Sequence, residues 1–210
     1  MVSNIRLNIR EVVKQVELQK LAFFTPATFA KTFNTNLSKA TIFLSRNTRL
    51  GYFIRIKKGI YSPASIRPSS LEIANIIYKP SYISSELALS FYHILPETVY
   101  SITSITTKHS KEVKVLNQIF TYRKLDRNLY FGYEIIRISN KNIVIATKEK
   151  ALLDYLYFIA RGQKKYNDRI DLRTINKQKL SKYSKVFFKN IKNKYIKKRF
   201  ALLIEKINLS

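Results

Sequence analysis

The chain contains no cysteine among its 210 residues. That absence excludes a disulfide framework, cysteine-ligated zinc and thiol catalysis together. Glycine is nearly as scarce: four residues cannot build a phosphate-cradling loop as well as the turns a fold needs. Histidine occurs only as His93 and His109, far apart and in different surroundings. His93 follows Ser-Phe-Tyr in an expected helix and reads as a packing or capping residue rather than a ligand. No apolar run reaches the roughly 18 residues of a membrane span, and MVSNIRLNIREVV has no signal-peptide stretch. A cytoplasmic protein without a membrane partner is expected.

Acidic residues are few, 13 against 39 lysines and arginines, which leaves a formal charge of +26. Charge so far from zero favours polyanions. The chain is also rich in Lys, Asn, Ile, Tyr and Phe, as an AT-rich genome would supply. The placement of the cations therefore has to decide what they do. With 46% hydrophobic residues the chain can bury a proper core.

Neither an internal repeat nor a low-complexity linker is present. The seam with least periodicity is SPASIRPSS, residues 62–70. It predicts one domain over 1–66 and a second over 67–210, the latter ending in a basic helical tail from about 171.

In the first domain Ile9, Val12, Val13 and Val16 share one helical face. Thr25 is placed to cap a helix opening at Pro26, with Ala27, Ala30 and Phe33 as its buried side and Asn34 as its stop. The next stretch, NLSKATIFLSRNTRLGYFIRIKKGIY, carries the functional signal. At 100° per residue Leu37, Ala40, Phe43, Leu44 and Asn47 gather on one side. Ser38, Ile42, Ser45, Arg46 and Arg49 gather opposite, with Lys39 and Thr41 at the flanks. Gly51 stops the helix, YFIRI and IY read as strands, and KKG as their turn. Three helices and a hairpin in this order form a winged helix-turn-helix, whose third helix enters the DNA major groove. Arg46 and Arg49 would read guanine or hold phosphate, and Ile42 would meet a thymine methyl. Arg55, Lys57 and Lys58 would reach a flanking backbone. The competing reading is a solvated face in a domain that recognises protein.

The remainder predicts an α+β domain. Ser69 to Glu72 is a capping box opening LEIANIIY, and Ser84 or Ser85 caps ELALSFYHIL. VYSITSITT, VKVLNQIFTY, YFGYEIIRI and NIVIA read as strands. Thr147 caps KEKALLDYLYFIA, with Leu152, Leu153, Leu156 and Tyr157 spaced for burial. In the tail, Phe187, Ile191, Tyr195, Phe200, Ile204 and Ile207 form an apolar stripe. Between Lys177 and Arg199 stand ten cations and no acid. Lys182, Lys185, Lys189, Lys192, Lys197 and Arg199 make that face a candidate for secondary nucleic-acid contact or for docking an acidic partner. They also serve as the solvated side of an amphipathic helix.

Catalysis has little to stand on. Glu97 with Glu112-Val113-Lys114 is similar to the acid–acid–lysine core of magnesium nucleases, which needs its carboxylates on adjacent strands. In so lysine-rich a chain a Glu-x-Lys triplet arises readily by chance. No catalytic residue, metal or cofactor is expected.

The sequence also resembles the AbiEi-type antitoxins, predicted transcriptional regulators of viral defence systems. The similarity spans residues 5 to 158. It runs through KKGIY, LEIANIIYKPSYISSELALSFYHILPE at 71–97, SITSITTK at 101–108, IFTYRKL, YFGYEI and IVIATKEKALLDYLYF at 143–158. His93 departs from it, standing where relatives carry a glycine turn, and the tail beyond residue 160 lies outside it. The resemblance implies a winged helix that represses its own operon by binding promoter repeats. It also implies an antitoxin domain opposing a nucleotidyltransferase-like toxin, with no need of direct contact, within a type IV toxin–antitoxin system of abortive infection.

Overall fold

The computed structural model describes residues 7–66 and 68–208. It is a mixed α+β structure that divides into two compact units, Met1–Ile73 and Ala74–Ser210.

The first unit runs α1 (Ile9–Leu18), α2 (Pro26–Thr32), α3 (Leu37–Arg49), β1 (Phe53–Lys57) and β2 (Ile60–Pro63). Each helix is started by a side chain that accepts a bond from an otherwise orphaned N–H group. Asn8 does so for α1 and Asn36 for α3, while Thr25 and Thr28 form a reciprocal capping box on α2. Asn34 (φ 44°) turns the chain after α2. The core gathers Val12, Val16, Phe24, Phe29, Ala30, Ala40, Leu44, Phe53 and Tyr61. Phe24 stands edge-on to Phe53 at 5.5 Å and bridges Tyr61 through two backbone hydrogen bonds of 3.0 and 2.9 Å. The segment before α2 is thereby tied to the hairpin. Two expected core positions are corrected. Ala27 is exposed and Phe29 is buried instead, because its larger ring reaches from α2 to pack against Phe43 of α3. Leu37, at the first turn of α3, is 56% exposed because the core lies one turn further along, at Ala40 and Leu44.

The second unit is a six-stranded sheet with helices. α4 (Ser70–Ile77) opens on the expected box: Glu72 accepts from the Ser69 N–H at 2.7 Å, and Ser69 Oγ accepts from the Glu72 N–H at 3.3 Å. The division between the units falls inside this helix. There follow β3 (Ser81–Ile83), α5 (Ser85–Phe91), β4 (Ile102–Thr106), β5 (Lys111–Val115), β6 (Gln118–Lys124), β7 (Tyr133–Ile138), β8 (Lys141–Ala146), α6 (Lys148–Ala160), α7 (Lys177–Asn190) and α8 (Lys194–Asn208). The strand order is β5-β6-β4-β3-β8-β7. β3 with β8 and β4 with β6 run parallel, and the remaining neighbours run antiparallel. β3 meets β8 only at Ile83 and Ile145. One residue away, the Asn75 amide completes the ladder, donating to the Val144 carbonyl (3.1 Å) and accepting from its N–H (2.8 Å).

Several local expectations change here. VKVLNQIFTY is two strands folded at Leu116 and Asn117, both at positive φ, so the apolar run hides a tight hairpin. β3 is a strand that the sequence did not announce. The helix over ELALSFYHIL ends at Phe91, and His93 lies beyond it, exposed at φ 58°. Ser84 occupies the N-cap position but its hydroxyl donates to Asp154 instead (2.8 Å). Thr147 likewise stands at the N-cap of α6 without making the capping bond. The tail is broken at Ile191 into α7 and α8, and Phe187, Ile191, Phe200, Ile204 and Ile207 are buried, whereas Tyr195 is 68% exposed.

Candidate nucleic-acid interface

α3 separates its two faces as its sequence demands. Ala40, Leu44 and Asn47 are buried. Asn47 is tolerated there because its amide donates to the Phe43 carbonyl at 2.8 Å, so no buried donor is left without a partner. Ser38, Lys39, Thr41, Ile42, Ser45, Arg46 and Arg49 are all exposed. Ile42 is 68% exposed at the middle of this face. Cations and hydroxyls of the same helix face surround this open apolar side chain.

Thr41 is bonded within the helix. Its hydroxyl donates to the Leu37 carbonyl at 2.7 Å, which leaves its methyl and its acceptor lone pairs to face outward. Leu50 (62% exposed) and Tyr52 (43%) extend the exposed surface past the end of α3. Sequence reasoning passed over them because periodicity ends with the helix.

The hairpin carries the flanking cations. Arg55 and Lys58 are exposed and Lys57 is half-buried. Arg55 faces Tyr61 across the ladder, and the register shifts between Arg55 and Lys57, a bulge that re-aims the end of the strand. Gly59, at φ 81°, closes the turn in a conformation open to glycine. Electrostatically the unit is one-sided: no Asp or Glu occurs between Glu17 and Glu72. Arg46, Arg49, Arg55 and Lys58 have no carboxylate partner among the described residues, so their field is directed outward.

In the second unit the basic tail is exposed at Lys182, Lys185, Lys189, Lys192 and Lys197, while Arg199 is half-buried with its guanidinium 5.6 Å from the Tyr195 ring centroid. Lys179 is drawn inward to Glu149 at 3.3 Å.

The nuclease-like triplet does not assemble. Among the described residues Glu112 and Lys114 lie on edge strand β5, whose only neighbour is β6, and β6 bears no acid. Glu97 lies in the segment between α5 and β4 and faces Arg169 at 3.6 Å. Among the described residues no group of three His, Asp or Glu is placed to hold a metal ion, and no helix is long and apolar enough to cross a membrane.

A buried ionisable centre that the sequence reading missed lies in the second unit. Lys150 and Asp154 on α6 form a buried ion pair. Lys150 Nζ also donates to Tyr82 Oη at 2.8 Å, and Tyr82 Oη and Ser84 Oγ donate to Asp154 Oδ2 at 3.0 and 2.8 Å. The ammonium lies over the rings of Phe187, Tyr82 and Phe131 at 5.0, 5.3 and 5.3 Å. Burial pushes the Lys150 ammonium down and the Asp154 carboxyl up, each opposed by the other's charge. Burial and the Asp154 charge push the Tyr82 hydroxyl well up. With every member enclosed and mutually bonded, the centre holds structure together. Its signal in the sequence was a lysine and an aspartate one turn apart inside an otherwise apolar helix.

The chain matches no protein-family model, and no curated protein sequence matches it.

Proposed function

We propose that the protein is a sequence-specific DNA-binding autorepressor and antitoxin of a type IV toxin–antitoxin, or abortive-infection, operon. Its first unit acts as a winged helix-turn-helix and its second as the antitoxin domain. The observation that carries this reading is the outer face of α3. There Arg46, Arg49, Ser38 and Ser45 surround an exposed Ile42, on a unit with no acid from residue 18 to 71. Such a set supplies base-edge donors, a methyl contact and phosphate partners on one helix. The hairpin cations Arg55, Lys57 and Lys58 fit the flanking backbone. The antitoxin half of the proposal rests on the resemblance of residues 5 to 158 to AbiEi-type antitoxins. Its functional partner is then a nucleotidyltransferase-like toxin.

The test is binding of the full chain to the DNA upstream of its own reading frame, beside a shuffled duplex of equal length. A preference of at least tenfold for the upstream DNA, with repression of a reporter, is expected. Equal affinity for both duplexes overturns the repressor reading. A neighbouring reading frame encoding a nucleotidyltransferase-like protein, neutralised on co-expression, is the expected outcome for the antitoxin reading.

A second reading is favoured by the exposed cations of α7 and α8. In it the protein acts mainly by contact with an acidic partner through that face, and its test is co-purification with the neighbouring gene's product.

A further inference from the structure

The α7–α8 hairpin carries a charge imbalance that its packing role leaves unused. Its inner side is fully accounted for by Leu180, Phe187, Ile191, Phe200 and Ile204, all buried. Between Asp171 and Glu205 there are eleven cations and no acid. Of these, Lys179 is neutralised by Glu149 and Arg173 by Asp171, while the rest have no carboxylate partner among the described residues.

Their arrangement is more specific than a solvated face. Lys182, Lys185 and Lys189 are exposed at steps of three and four residues, a single row along α7. The row leads to the break at Ile191, where Lys192 precedes α8 and Lys194 opens it. Immediately after the break comes Tyr195, a large aromatic 68% exposed. Arg199, one turn on, braces the ring. An apolar stripe would have turned Tyr195 inward with Phe200 and Ile204. It is held outward instead, with the Arg199 guanidinium over one face and most of the ring exposed. Cations that follow a phosphate backbone, next to an aromatic ring that accepts a base, are the two components of single-strand recognition. A duplex hides its base faces and has no use for the ring.

We propose that the α7–α8 hairpin is a second nucleic-acid site, independent of α3. It takes single-stranded RNA or DNA, with Lys182, Lys185 and Lys189 on the phosphates and Tyr195 stacked on a base. The experiment is fluorescence anisotropy of the full chain with a labelled single-stranded RNA, the DNA of the same sequence, and the corresponding duplex. The combined variant Lys182→Gln, Lys185→Gln, Lys189→Gln is expected to weaken single-strand binding at least tenfold. It should also reduce the salt slope by about two units, since each lost phosphate contact removes roughly 0.7. Tyr195→Ala should weaken it several-fold while Tyr195→Phe, which keeps the ring, should not. Comparison of the RNA and DNA arms identifies which strand is preferred. Arg46→Ala with Arg49→Ala should leave single-strand affinity in place, so loss of promoter binding and loss of this site are read separately. The proposal is overturned if the tail variants leave single-strand affinity unchanged, or if they weaken duplex binding by the same factor. It is overturned too if poly-glutamate of matched charge binds the tail as tightly as the single strand does, which would make the face an acidic-protein site. All substituted residues are exposed, and unchanged thermal melting confirms that folding is not the cause.

Discussion

Lys150 and Asp154, one turn apart on α6, face each other where neither side chain reaches solvent. The pair is closed by Tyr82, which bonds both Lys150 Nζ and Asp154 Oδ2, and by Ser84, which donates to Asp154 Oδ2. α6 is thereby tied to β3 by polar bonds as well as by packing.

Removing one half of such a pair strands the other charge in an apolar interior. Asp154→Ala or Lys150→Ala is expected to destabilise the protein by about 3–5 kcal/mol, read as the shift in a chemical denaturation midpoint. Replacing both with apolar residues of similar volume should cost far less than the sum of the single changes, because no unpaired charge remains. Additive losses would contradict the interpretation.

Glu149 gives the second unit a defined response to acid. It accepts from the Asn176 N–H at 3.1 Å and pairs with Lys179, which fixes the start of α7 against α6. Burial raises its pKa, but these bonds outweigh burial and leave it below the ordinary glutamate value. A depressed folded pKa means stability that is complete above the ordinary range and is lost as pH falls through the folded value. Glu149→Gln should therefore lower stability at neutral pH by about 1–3 kcal/mol and flatten the decline on the acid side. A variant with the same acid slope as the parent would show that Glu149 is not responsible.

In the segment between α6 and α7, Arg173 holds the Asp171 carboxyl at about 2, through contacts of 2.6 and 3.0 Å. Carboxyl chemical shifts followed from pH 7 downward should place the Asp171 midpoint near that value. Arg173→Ala should return it toward the ordinary aspartate range.

On DNA the two kinds of cation should behave differently. Arg49→Ala should cost roughly 1–3 kcal/mol on the operator and relax the preference at one position, as expected of a guanine contact. Lys58→Ala should weaken operator and random duplex alike and reduce the salt slope by about one unit. Equal losses on both duplexes for both variants would remove the base-reading role of α3.

Gly132 should not accept a side chain. Its φ is +70°, and an added Cβ would come within 3.0 Å of the Tyr183 ring and 3.1 Å of Lys150 Cβ. Gly132→Ala is expected to destabilise the second unit by about 1–3 kcal/mol through backbone strain and displacement of the buried pair. Denaturation midpoints of the two proteins would measure it.

Most of the helical architecture was legible in the sequence, because amphipathic spacing and capping residues are local signals. The faces of α3, the Thr25 cap, the Ser69 box, and the burial of Phe187, Phe200 and Ile204 all follow from them. What stayed illegible was non-local. Leu116-Asn117 looks like the middle of a strand until its partner strand is known. Ser84 and Thr147 are good caps by type, yet Ser84 is diverted to Asp154, a residue far along the chain. Lys150 and Asp154 stand one turn apart, a spacing equally suited to an exposed helix face; only the topology encloses them. Tyr195 fits the apolar stripe by period and leaves it because the helix breaks at Ile191, which resets the phase.

Asn75 has a consequence for how the sheet is closed. β3 is too short to run the length of β8, so the backbone at Val144 would otherwise present a bare notch in the centre of the sheet. A lone carboxamide, with one donor and one acceptor spaced like a peptide group, plugs it. Without it, the Val144 N–H and carbonyl would lose these side-chain partners inside the sheet.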